Sequence, residues 1–199
     1  MTDGGKAMGA GARAINWFGR GGLVAALLLP VVLLGLTSCG STTAPQSMPC
    51  PMVKTVPDAS YLTRFAGESE DLTDTAFEAK LVGVQPKCIY SENTDTKKTA
   101  IVSDLLVKIQ ASRGPKVAGD KVTFNYVIAL TGQGGRKITR QQFDVTLPLT
   151  ADKPSGQIVD NPTVTIPLKK GETGDFYQIY VFLEVTEKEL AYNRRNPQQ

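Results

Sequence analysis

The sequence contains no histidine. This removes Ser–His and Cys–His nucleophile pairs, every His-ligated metal site and the usual proton shuttle at neutral pH. An enzyme built from this chain would have to work with carboxylates and lysine. Tryptophan is nearly absent, with Trp17 alone. Cysteine is scarce: Cys39, Cys50 and Cys88 have none of the CxxC spacing of redox or zinc sites. No internal repeat of solenoid length occurs. Charge of one sign is lacking too, with 22 basic against 19 acidic residues.

What is present begins with a strongly patterned N-terminus. Lys6, Arg13 and Arg20 stand against Asp3 in the first twenty residues. Leu23 to Leu36 is apolar, interrupted by Pro30 and Gly35. Small residues and then Cys39 follow, which is the order of a secretory signal. Translation could start at Met1 or at Met8. Read as a helix, the apolar run spans roughly 21 Å, short of the roughly 30 Å hydrocarbon core of a bilayer. A cleaved signal therefore fits better than a spanning anchor.

Leu36-Thr37-Ser38-Cys39 resembles the lipobox of bacterial lipoproteins. The resemblance covers residues 1 to 40. It implies a diacylglycerol on the Cys39 sulfur, cleavage before Cys39 and acylation of the new amine. One acyl chain binds a membrane marginally, whereas several together hold it. Gly40, where Asp would retain such a protein in the inner membrane, implies the outer membrane facing the periplasm. The mature domain is also similar to uncharacterised proteobacterial lipoproteins with two cysteines, an LTRF segment and an RGP turn. Here these are Cys50, Leu62-Thr63-Arg64-Phe65, Cys88 and Arg113-Gly114-Pro115. That similarity implies location and fold, not chemistry.

Cleavage would remove three basic residues and one acid, lowering the net charge from +3 to +1. A nucleic-acid partner then has no basic surplus to support it. With Cys39 lipidated, Cys50 and Cys88 remain as an even pair in an oxidising compartment, where a structural disulfide is expected. Two buried thiols or a reactive pair are the alternatives.

The expected organisation is a signal peptide over residues 1–38, a lipidated flexible tether over 39–52 and a β-domain over 53–199. Gly40 to Met52 is rich in Ser, Thr, Pro and Gln without apolar periodicity. Beyond it, alternating apolar and polar residues predict strands over Tyr61–Phe65, Thr75–Val84, Lys87–Ser91, Thr99–Ala111, Lys121–Thr131, Lys137–Leu149, Thr163–Leu168 and Phe176–Val185. Gly83 marks a bulge or a strand end, and the prolines flanking Thr163–Leu168 place it at an edge. Thr186-Glu187-Lys188-Glu189 reads as a capping box opening a helix over Glu187–Arg194. The fold class is all-β: a two-sheet antiparallel β-sandwich, immunoglobulin-like in outline, with a short C-terminal helix, and a small β-barrel is the main rival. The Cys–Trp–Cys arrangement of true immunoglobulin domains is missing, because Trp17 lies in the signal.

Candidate chemistry is sparse. The acidic loop holding Glu68, Glu70, Asp71 and Asp74 invites calcium but lacks EF-hand spacing, so a solvated loop is expected. Gly132-Gln133-Gly134-Gly135 could cradle phosphate only before a helix N-terminus, and a strand is predicted there instead. Asp144, Asp160 and Glu184 are the carboxylates available for glycoside cleavage, with no spacing that singles them out. Tyr61, Tyr90, Tyr126, Tyr177 and Tyr180 could form a glycan-binding face, though packing is the ordinary role of such residues. Arg194 and Arg195 suit a helix C-terminus, with anionic lipid as the functional alternative. No metal, cofactor or catalytic residue is expected. The expected partners are the membrane, through the lipid, and another envelope protein. A glycan or peptidoglycan ligand is the alternative.

Overall fold

Alternation dictates the sheet faces, and the computed structural model, which describes residues 48–197, follows it closely. Its strands are β1 (Met52–Thr55), β2 (Tyr61–Phe65), β3 (Thr75–Glu92), β4 (Thr99–Arg113), β5 (Lys121–Thr131), β6 (Lys137–Pro148), β7 (Ser155–Asp160), β8 (Thr163–Pro167) and β9 (Gln178–Leu183). A helix, α1 (Glu187–Arg195), follows. One sheet has the order β1-β9-β5-β6, the other β2-β3-β4-β7, with β8 also on β4. All pairs are antiparallel except β1 with β9.

The core lies between the sheets. On β4 the inward set is Ile101, Ser103, Leu105, Val107, Ile109 and Ala111, all buried. Val122, Phe124, Tyr126 and Ile128 of β5 face it, joined by Ile179, Val181 and Leu183 of β9. Each such aliphatic or aromatic side chain contributes about 1.5–3 kcal/mol through burial. The sandwich expected from the alternation is the fold observed.

Three strands differ from expectation. The two segments predicted between Thr75 and Ser91 are one strand of 18 residues. Gly83 is a bulge, where the register with β4 shifts, not an end. Pro86 is tolerated inside the strand because β2 pairs only as far as Lys80, leaving that edge of β3 without a ladder to interrupt. β1 is four residues long and pairs in parallel, so no alternation could reveal it. β7 is short, has only Ile158 and Val159 as large apolar residues and is bracketed by Pro154 and Pro162. It shares one edge of β4 with β8, β7 on Val107–Ser112 and β8 on Ala100–Asp104. The edge position predicted for the β8 segment is therefore correct.

Candidate functional site

Pro49, Cys50 and Pro51 lead the chain into the fold, ahead of the boundary expected at residue 52. Three devices hold them there. Cys50 and Cys88 form a disulfide, with Cα atoms 6.0 Å apart, tying the segment to β3. The Tyr90 hydroxyl donates to the Pro49 carbonyl at 2.6 Å and accepts from the Gly174 N–H at 2.8 Å. Residues 52–55 then add to β9 as the edge strand β1. The segment is thereby fastened to both sheets at once.

Gly174 has to be glycine. A Cβ there would lie 2.2 Å from the Pro49 carbonyl oxygen and 2.7 Å from the Cys50 carbonyl carbon. Next to it, Tyr177 is buried and its hydroxyl donates to Glu172 at 2.5 Å. Burial, reinforced by Glu172, pushes the Tyr177 phenol up to about 12. The Tyr177 hydroxyl and the Lys169 N–H hold the Glu172 carboxyl below its usual range.

Around this junction the β3–β4 turn and the β8–β9 connection meet, stitched by the Leu168 N–H donating to Thr99 O at 2.9 Å. They enclose an open recess of about 560 Å³, lined by Met48, Lys97, Lys98, Lys169 and Lys170 among others. Each lysine is exposed. Neither connection was singled out from the sequence as a candidate site. The paired lysines, Lys97-Lys98 and Lys169-Lys170, were the available signal.

Of the candidate carboxylates, Asp160 and Glu184 are engaged by other side chains. Asp160 on β7 accepts from Tyr126 of the opposite sheet at 2.6 Å, and burial drives that phenol's pKa upward. Glu184 accepts from Arg140 at 2.8 Å and Asn125 at 3.0 Å, which lowers its pKa. Asp144 is exposed on β6, opposite Asn125 in register. Asp160 is thus on the other sheet, whereas Asp144 and Glu184 flank Asn125 on one sheet, with Glu184 held by Arg140 and Asn125.

The tyrosines are mostly structural. Tyr61 donates to the Asn193 and Asn196 carbonyls under α1, Tyr126 is fully buried, and Tyr90 and Tyr177 belong to the junction described above. Tyr180, half-buried with Lys54 6.0 Å from its ring centroid, faces away from the core.

The acidic loop meets the helix. Lys188 pairs with Glu68 at 3.4 Å and Arg195 with Glu70 at 2.6 Å. Arg194 pairs with Asp58 at 3.0 Å. Asp71 accepts from the Thr73 N–H at 2.8 Å, which lowers its pKa. The arginines offered by the sequence as lipid contacts are committed to carboxylates of this chain. The Gly132–Gly135 connection leads into β6, with Gly134 and Gly135 at φ 69° and 76°. Among the described residues no cluster of three or more metal-ligating side chains occurs, and no helix is long and apolar enough to cross a membrane. Cys39 lies outside the described residues.

No family model matches the chain. No curated protein matches it either. Among solved structures it is similar to the Streptococcus agalactiae AgI/II polypeptide BspA variable (V) domain. Identity is 16%, over 67% of this chain and 78% of that chain, with a TM-score of 0.17. At that score the likeness carries no argument, and the fold assignment stands on the two sheets themselves.

Proposed function

We propose that this chain is an envelope lipoprotein: a non-enzymatic β-sandwich that binds or assembles with another envelope protein, held on a lipid at Cys39 and facing the periplasm, at the outer membrane. The observation that carries this reading is the odd cysteine. Cys50 and Cys88 are joined to each other, which leaves Cys39 as the single thiol, placed directly after a basic start, an apolar run and Leu36-Thr37-Ser38. The non-enzymatic part draws support from the engagement of Asp160 by Tyr126 and of Glu184 by Arg140 and Asn125. Fold alone does not choose a partner.

Intact mass spectrometry of the protein from the envelope fraction tests the anchor. The expected product begins at Cys39 and carries acyl groups. Cys39→Ala should leave the precursor uncleaved. A full-length chain with a bare thiol at residue 39 would sink the proposal. Crosslinking in intact cells, read by mass spectrometry, should recover a recurrent envelope protein, and its consistent absence would argue against the assembly role.

A further inference from the structure

We infer that the end of the sandwich where the chain enters the fold is a membrane-facing surface, on which Lys97, Lys98, Lys169 and Lys170 contact anionic phospholipid headgroups. This rests on the lipid-anchor reading and adds to it an orientation and a recognition chemistry.

Reach is the first support. Nine peptide steps separate Cys39 from Met48, at most roughly 32 Å of extended chain. The 18 residues of β3 span on the order of 55–60 Å. β3 ends at Glu92, on the same side as Met48, and begins at Thr75 on the far side. The Met48 end therefore stays within range of the bilayer in every posture that nine steps permit, and the far end does not.

Charge is the second. The four lysines come from two separate connections and converge on one recess with Met48, whose apolar side chain is exposed. Lys97 approaches Glu92 only at 4.0 Å. Among the described residues, Lys98, Lys169 and Lys170 have no carboxylate within that distance. Glu172 is the one acid lining the recess, and it is already occupied by the Tyr177 hydroxyl and the Lys169 N–H. Asp95 and Asp175, on the same connections, do not line it. Lys97 also holds φ 53°, in the left-handed region that glycine adopts most readily. Each lysine beside an anionic leaflet favours contact by about fivefold, an effect that salt screens.

The test uses the mature lipidated protein reconstituted into phosphatidylcholine vesicles, with or without phosphatidylglycerol. An amine-acetylating reagent is added, and the reaction rate of each lysine is read by peptide mass spectrometry. Lys97, Lys98, Lys169 and Lys170 should react about fivefold more slowly when phosphatidylglycerol is present, and the protection should vanish in high salt. Lys116 and Lys153, in the connections at the other end, should react alike in both. A variant carrying Lys97→Gly, Lys98→Gln, Lys169→Gln and Lys170→Gln alters only exposed side chains, so it should melt like the parent. Its Met48 should become more accessible to oxidation on anionic vesicles. Equal lysine rates in the two vesicle types, with Cys39 verified as acylated, overturn the inference and leave the lipoprotein reading intact. A bare thiol at Cys39 brings down both.

Discussion

Two hydroxyls in the same core have opposite fates. Ser103 is buried on β4 among Ile101 and Leu105, and its Oγ has no hydrogen-bond partner. Tyr126 is equally buried, but its hydroxyl reaches Asp160 across the sheets. An unpartnered buried hydroxyl costs free energy that a methyl group would not. Ser103→Ala should therefore raise unfolding free energy by about 1 kcal/mol, whereas Tyr126→Phe should lower it by about 1–2 kcal/mol. Urea denaturation followed by circular dichroism measures both. Alternation predicts both segments as strands from sequence alone. It could not say which hydroxyl is satisfied, because the partner of Tyr126 sits on β7, a strand whose brevity and bracketing prolines hide its nature.

At the scale of elements, α1 is legible at its start and not along its length. The capping box read from Thr186 and Glu189 is formed, each side chain meeting the other's backbone N–H. What docks the helix is Asn193, fully buried, whose amide donates to the Asp58 and Tyr61 carbonyls at 2.8 and 2.9 Å. An asparagine near a helix end gives no hint of this, since the acceptors lie more than 130 residues upstream. Thr186→Ala should cost about 1 kcal/mol. Asn193→Ala, which strands two carbonyls, should cost about 2–3 kcal/mol. Hydrogen exchange separates the two: only the second should speed exchange in β2. Long strands with strict alternation, β4 and β5 above all, were readable to within a residue or two. Four-residue β1, parallel to β9, was not, because its pairing is set by the Pro49–Pro51 clamp and not by any face pattern of its own. The lysine-lined recess escaped for a related reason: its halves lie some seventy residues apart and meet through the β4–β8 pairing and the Tyr90–Gly174 contact.

For the molecule as a whole, the disulfide closes a loop with a sequence separation of 38. Loop-closure entropy assigns it roughly 4 kcal/mol. Cys50→Ala with Cys88→Ala should lose about that much in urea denaturation. Stability should also be bounded by pH on both sides. Glu172 and Glu184 have pKa values held below their ordinary 4.5, so what they add is full above that value and is lost as pH falls through the lowered ones. Tyr126 and Tyr177 are raised above the ordinary 10, so their contribution is full below pH 10 and is lost as pH rises, for Tyr177 between 10 and about 12. Urea midpoints across pH should plateau between these limits, and the part of the phenolate absorbance that Tyr126→Phe and Tyr177→Phe remove should appear late, together with unfolding. The bridge has a mechanical corollary as well. Tension applied to the chain ahead of residue 50 divides at the sulfur, and part of the load passes straight into β3 instead of peeling β1 from β9. Stretched from its amino end, the oxidised protein should lengthen by less than its reduced form, short by the contour of the 38-residue loop that the bridge shields.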